Sequence, residues 1–216
     1  MIISILNHTK SELGEGPTYD PINDTAWWFD IEGRILFEHN FDRNITIQHN
    51  LPRKASMLGI IDDLRQLVAM EDGLYIREVH SGALKLHHRV EADNAMTRSN
   101  DGRVHPSGAL WFGTMGHNAE KAAGAIYHFL KGRLTKLYSE ITIPNAICFS
   151  PDAKTAYFTD TAKNVLMHVS IDAATGLPIS EAKPLLVQER RKGGLDGAIV
   201  DGAGDIWIAV WGASSL

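Results

Sequence analysis

The chain has 216 residues, of which 44% are hydrophobic and 22% charged, and its formal net charge at pH 7 is −5. This composition is ordinary for a globular protein with one large domain or two small ones. Lys and Arg form no basic stripe and no stretch approaches the roughly 18 apolar residues of a membrane span, so neither nucleic acid nor a membrane is expected as a partner.

Short strands separated by turn residues dominate the predicted secondary structure. The N-terminal segment Met1–Leu6 lacks the basic start and long apolar core of a signal peptide, so it is predicted as a first strand of a cytoplasmic protein. The single cysteine, Cys148, permits no intrachain disulfide and fits a reducing compartment. Further strands are predicted at Trp27–Asp30, Gly33–Glu38, Ile45–His49, Gly59–Asp62 and Gln66–Met70, and hairpins at Gly73–Val79 with Ala83–Arg89 and at Gly124–Phe129 with Leu134–Ser139.

Five segments of the chain repeat one layout, in which a strand is followed by a polar turn and an apolar, aromatic strand. The turns are marked by Asp20, Asp62, His105, Ser150 and Asp201. The steps between these residues are 42, 43, 45 and 51 residues. Each of the first four units adds a second hairpin, and four strands in about 45 residues are the content of one β-propeller blade.

The repeats predict an all-β fold, a β-propeller that forms a single domain over residues 1–216. A sandwich or barrel would explain the strands but not a unit of this length. The sequence supplies four units and the first half of a fifth, so we expect a ring that is incomplete at its C-terminus by roughly sixty to eighty residues. We expect the aromatic residues Trp111, Tyr157, Phe158 and Trp207 to lie in the blade cores.

Polar side chains recur at one position of the repeat, five residues before each turn. The residues at this position are Glu15, Met57, Asn100, Asn145 and Asp196. Equivalent positions on the inner strands of a propeller face the central channel, so the four oxygen-bearing side chains are expected to converge on the axis. Each also has a plain turn interpretation, since Asn, Asp and Gly are the usual turn residues.

Two carboxylates and two amides, with no His or Cys, match the ligand preference of a hard divalent cation such as Ca²⁺, Mg²⁺ or Mn²⁺. Carboxylates that converge without a partner would repel each other, and a cation removes that repulsion. The ten histidines show no zinc-site spacing. The sequence also contains no Gly-x-Ser-x-Gly nucleophile elbow, phosphate-binding loop or dinucleotide fingerprint.

At these residues the sequence resembles the senescence-marker-protein, gluconolactonase and regucalcin family of six-bladed β-propellers. The resemblance is carried by Leu13–Pro17, Arg98–Met115, Asn145, Phe149–Asp152 and Leu195–Gly197. It implies that Glu15, Asn145 and Asp196 hold one divalent metal ion. It also implies that Arg98 and Asn100 contact the substrate. His105 and Ala146 stand where the family more often has Asp and Gly.

The resemblance implies metal-dependent hydrolysis of a sugar lactone, with Ca²⁺ as the preferred ion and Zn²⁺, Mn²⁺ or Mg²⁺ as alternatives. In this mechanism the metal polarises the lactone carbonyl, Asp196 assists the attacking water as the catalytic residue, and Arg98 with Asn100 orients the sugar hydroxyls. Three alternatives stay open. They are a non-catalytic calcium-binding protein of the regucalcin kind, an aryl ester or phosphotriester hydrolase, and a propeller that serves only as an interaction scaffold.

Overall fold

Antiparallel β-sheets make up the computed structural model, which describes residues 5–189 and 193–216. Within these residues there are eighteen strands in five sheets. The first four sheets have four strands each, and the fifth has two. In every sheet the strands lie side by side in chain order, so each four-stranded sheet is one propeller blade. The predicted β-propeller with four blades and half of a fifth is confirmed.

The strands follow one another as up-and-down meanders. Blade 1 contains β1 (Gly14–Asp20), β2 (Thr25–Asp30), β3 (Ile35–Asn40) and β4 (Ile45–Asn50). Blade 2 contains β5 (Ala55–Ile60), β6 (Arg65–Met70), β7 (Gly73–Glu78) and β8 (Leu84–Arg89). Blade 3 contains β9 (Thr97–Val104), β10 (Leu110–Gly116), β11 (Gly124–Leu130) and β12 (Arg133–Ile141). Blade 4 contains β13 (Pro144–Phe149), β14 (Thr155–Asp160), β15 (Val165–Ser170) and β16 (Lys183–Val187), and the two-stranded sheet contains β17 (Gly194–Val200) and β18 (Ile206–Trp211).

The first strand of each sheet lies on the inside of the array. β1 contacts β5, β5 contacts β9, β9 contacts β13, and β13 contacts β17, so the five inner strands stand next to one another in chain order. The turn residues of the repeat lie at or just beyond the ends of these inner strands. The repeat read from the sequence therefore has the correct register.

Apolar side chains fill the spaces between neighbouring sheets. The four buried clusters each join two sheets, as in the pairs Trp27 with Val68, Leu74 with Phe112, Trp111 with Phe158, and Cys148 with Leu195. Burial of Trp111 and Phe158 confirms their predicted place in the blade core, and Tyr157 packs at the edge of its cluster. The prediction for Trp207 is wrong, because its side chain is 45% exposed on the two-stranded sheet.

The predicted N-terminal strand also differs from the structure. Residues 1–4 lie outside the described part of the chain, Ile5 and Leu6 belong to no strand, and β1 begins only at Gly14. Across residues 5–189 and 193–216 the structure has no helix with the length and apolar character needed to cross a bilayer.

Candidate functional site

A β-bulge interrupts each inner strand at the repeat position that carries the polar residues. Pairing with the second strand shifts between Glu15 and Thr18 in β1, between Asn145 and Cys148 in β13, and between Leu195 and Ala198 in β17. In blade 3 the shift falls opposite Asn100, between the partners Phe112 and Thr114. A bulge adds a residue to one strand and changes the direction of its side chains. The four predicted site residues thus share a β-bulge as well as a position in the repeat.

The backbone just after two of these residues lies in the left-handed region. Gly16 has a φ of 60° and Ala146 a φ of 53°. A Cβ on Gly16 would lie 2.1 Å from the carbonyl oxygen of Ser56, so only glycine fits there. Ala146 has a similar positive φ, which is less favourable for alanine than for glycine because its Cβ comes close to the following carbonyl oxygen. The bulge explains why glycine is the expected residue at this second position.

Asn100 and Asn145 join blade 3 to blade 4 through their side chains. Asn100 Nδ2 donates to Asn145 Oδ1 at 3.1 Å and to the Pro144 carbonyl at 2.9 Å. Arg98 Nη1 donates to Asn100 Oδ1 at 2.9 Å and to the Ser99 carbonyl at 2.9 Å. An arginine only donates and a carbonyl only accepts, so these partners fix which end of the Asn100 amide is oxygen. Arg98, Asn100 and Asn145 are all buried.

Glu15 and Asp196 are partly exposed, and both line one cavity of about 580 Å³. The pKa of Glu15 is raised to about 7, chiefly by burial and then by the negative charges of Asp196 and Asp101, while Arg98 opposes the rise. Burial also raises the pKa of Asp196, against a hydrogen bond from the Gly197 amide. The two carboxylates therefore lie close enough to disfavour each other's charge.

Asp101 is a third carboxylate of the cavity that the repeat comparison did not select. It lies with Asn100 inside β9 and not in a turn, so the turn interpretation of Asn100 is wrong. Its Oδ2 accepts the Ile147 amide of β13 at 2.8 Å, and its Oδ1 accepts the Gly102 amide at 2.8 Å. Burial raises its pKa to about 6 although both amides favour the charged form. The available signal in the sequence was its position directly after Asn100.

Residues of blades 1 to 3 and of the two-stranded sheet line the cavity. Its walls include Trp28 from blade 1, Arg103 from blade 3, and Ile199 and Trp207 from the two-stranded sheet. Arg103 Nη2 donates to the Ala198 carbonyl at 3.2 Å, which joins β9 directly to β17. Trp207, which the sequence predicted in a blade core, lines this cavity and is exposed.

The donor atoms fit a hard divalent cation. In the described part of the chain no three His, Cys, Asp or Glu side chains form a cluster that could hold a metal ion. The predicted ligands Glu15, Asp196 and Asn145 offer only oxygen donors, and of the three only Glu15 and Asp196 line the cavity. Oxygen-only sets that include amides suit Ca²⁺, Mg²⁺ and Mn²⁺ better than softer ions.

Comparison with known proteins shows the family of the chain. Residues 13–216 match the family described as the SMP-30/Gluconolactonase/LRE-like region. The chain belongs to this family. Among curated proteins, the family member named "Putative sugar lactone lactonase" from Rhizobium meliloti is 54% identical over 211 residues, which are 98% of this chain and 71% of that protein. The L-arabinolactonase of Azospirillum brasilense is 32% identical over 215 residues, which are 97% of this chain and 70% of that protein.

A solved structure of the same family has the same fold. The calcium-binding protein regucalcin from Agrobacterium tumefaciens superposes with a TM-score of 0.95 at 51% identity, over 96% of this chain and 70% of that chain. The predicted resemblance to the family is thus confirmed.

Proposed function

We propose that this chain hydrolyses a sugar lactone to the aldonic acid with the help of one divalent metal ion, Ca²⁺ before Zn²⁺, Mn²⁺ or Mg²⁺. One observation carries the proposal: Glu15, Asn100, Asn145 and Asp196 lie at β-bulges of the inner strands β1, β9, β13 and β17, and the two carboxylates face one cavity. The names of the relatives, which include sugar lactone lactonases, support lactones as the substrate class.

Glu15, Asn145 and Asp196 are the residues that would hold the metal. When bound, a divalent ion at these three side chains would act as a Lewis acid toward the lactone carbonyl oxygen. Three protein ligands leave room for water and substrate, as a catalytic site requires.

Asp196 is the proposed general base. It lies on β17 at the cavity wall, where a water molecule and a small substrate can approach it. Burial raises the pKa of its carboxyl in the metal-free chain. A carboxylate that accepts a proton from the attacking water is the base that ester hydrolysis requires. The adjacent Gly197 amide donates to it and limits the rise.

Arg98 and Asn100 are the proposed substrate-binding residues. Both are buried, Arg98 lies close enough to Glu15 to lower its pKa, and Arg98 Nη1 is already shared between Asn100 and the Ser99 carbonyl. The buried Nε of Arg98 has no hydrogen-bond partner among the described residues. A donor of this kind suits a sugar hydroxyl or an ordered water that bridges to one.

A calcium-binding role without catalysis is the second candidate. The name of the Agrobacterium tumefaciens relative describes it as calcium-binding, and the same three donors would serve either role. Saturable Ca²⁺ binding with no turnover of any lactone would favour this candidate.

The test compares Glu15→Gln and Asp196→Asn with the wild-type chain, and uses Asp63→Asn on the exposed β5–β6 turn as the matched control. We expect both site variants to lose metal binding and lactone turnover together, while the control keeps both. Arg98→Ala should chiefly raise KM, because its proposed contact is with the substrate. Full activity of Asp196→Asn would contradict the assignment.

A further inference from the structure

The side-chain hydroxyl of Thr161 lies between two of the proposed metal ligands. Thr161 follows β14 in blade 4 and is partly buried. Its Oγ1 is 2.9 Å from Asn145 Nδ2 and 2.6 Å from the carbonyl oxygen of Leu195. Leu195 is the residue directly before Asp196, so one hydroxyl contacts the side chain of one ligand and the backbone next to another.

The chemistry of these groups fixes the direction of both hydrogen bonds. A carbonyl oxygen only accepts, so the single hydroxyl proton of Thr161 goes to Leu195. The hydroxyl oxygen then has only lone pairs left for Asn145, and it must face the NH₂ end of that amide. Asn145 Oδ1 is therefore held on the opposite side, where it accepts from Asn100 and keeps a second lone pair.

The backbone before Asp196 is held at both of its polar groups by blade 4. The Leu195 amide donates to Asn164 Oδ1 at 2.7 Å, and the Leu195 carbonyl accepts from Thr161. Asn164 also donates from Nδ2 to the Gly193 carbonyl at 2.9 Å, and it is 1% exposed. The turn that follows β14 thus sets the position of β17 where the bulge carries Asp196.

We infer that Thr161 is a positioning residue of the metal site, which orients the Asn145 amide and fixes the backbone of Asp196; this inference rests on the proposed function. Groups that orient metal ligands typically change metal affinity by about 10- to 100-fold when they are removed. Thr161→Val has nearly the same shape but no hydroxyl. It removes the acceptor of the Asn145 NH₂ group, so that only the bond from Asn100 to Asn145 Oδ1 still orients the amide.

The test measures Ca²⁺ affinity by titration calorimetry in the wild-type chain, Thr161→Val, Thr161→Ser and Thr159→Val. Thr159 is a matched control because it lies on the same blade and donates one hydroxyl bond, at 2.9 Å, to the Val165 carbonyl. We expect Thr161→Val to bind Ca²⁺ about 10- to 100-fold more weakly, and Thr161→Ser to recover most of the affinity. Thr159→Val should bind like the wild-type chain.

Unfolding in excess chelator separates positioning from general stability. Both valine variants lose one hydroxyl-to-carbonyl bond, and Thr161→Val also loses the bond from Asn145, so it should lose the larger unfolding free energy without metal. Only Thr161→Val should lose affinity. Equal affinity of Thr161→Val and wild type would overturn the inference and leave the proposed function intact. Failure of the wild-type chain to bind any divalent ion would instead overturn the proposed function.

A measurement on the wild-type chain keeps the inference testable if Thr161→Val does not fold. The Asn145 side-chain NH₂ should show slowed hydrogen exchange in the metal-free protein, because one of its protons is bonded to Thr161. Exchange of both protons at the rate of an exposed amide would overturn the inference.

Discussion

The Asn100 side chain donates to the Asn145 side chain at 3.1 Å, and this bond links the bulges of blades 3 and 4. Asn100→Asp is isosteric but replaces the donating nitrogen by an oxygen that faces Asn145 Oδ1 and the Pro144 carbonyl. Loss of a buried donor with both acceptors left unpaired should lower the free energy of unfolding by about 1–3 kcal/mol. Urea denaturation measures this change. Asn94→Asp is the control, because exposed Asn94 uses only its side-chain oxygen, which accepts the Met96 amide.

The raised pKa of Glu15 predicts how stability depends on pH without metal. Its pKa is about 7 in the folded chain against an ordinary value of 4.5, so the folded state holds the proton more tightly. Stability from this group is present below pH 4.5 and is lost as the pH rises toward 7. Glu15→Gln removes the effect, so its advantage in melting temperature over wild type should grow between pH 5 and pH 8 in chelator.

Addition of Ca²⁺ at pH 8 should reverse that order, because the ion stabilises only a folded chain that can bind it. If the difference in melting temperature between Glu15→Gln and wild type stays constant with pH in chelator, the pKa of Glu15 is not raised in the folded chain and the prediction is wrong.

Gly16 should tolerate no side chain. Alanine at this position meets the Ser56 carbonyl at 2.1 Å and has an unfavourable positive φ. Gly16→Ala should therefore lower the unfolding free energy by about 1–3 kcal/mol and weaken metal binding by moving Glu15. Gly202→Ala, where the added Cβ has open space, should change stability by less than about 0.5 kcal/mol. Equal effects of the two substitutions would contradict the proposed bulge geometry.

The repeat allowed the inner-strand residues to be identified from the sequence, because equivalent residues of successive blades recur at nearly the same spacing. Glu15, Asn145 and Asp196 could be selected in this way without knowledge of any contact. Asp101 could not, since the comparison took one position from each repeat and a bulge presents two adjacent side chains.

Contacts between distant residues were beyond the sequence for a different reason. The bonds of Thr161 to Asn145 and Leu195 join residues 16 and 34 positions apart, and they depend on how neighbouring blades pack. Trp207 was misplaced because its apolar strand pattern matches that of Trp111. Only the structure shows that blade 4 packs over Trp111, whose Nε1 donates to the Gly176 carbonyl. Trp207 lines the cavity instead.

Cys148 should be inert in the folded chain. It is buried beside Leu195, and burial raises the pKa of its thiol to about 12. Because the thiolate is the reactive form, a disulfide reagent at pH 8 should label it only as fast as the chain unfolds. The labelling rate, measured at several urea concentrations, should not depend on the concentration of the reagent. Rapid stoichiometric labelling of the native chain would contradict this prediction.

The most direct test of the central claim is proton release from a panel of aldonolactones, including glucono-, galactono-, arabino- and xylonolactone. The wild-type chain is assayed in chelator and again after Ca²⁺, Mn²⁺, Mg²⁺ or Zn²⁺ is restored in excess. We expect turnover of at least one lactone that disappears with chelator and returns with a divalent ion. Turnover that is unchanged in chelator, or no turnover with any ion although the chain binds it, would contradict metal-dependent lactone hydrolysis.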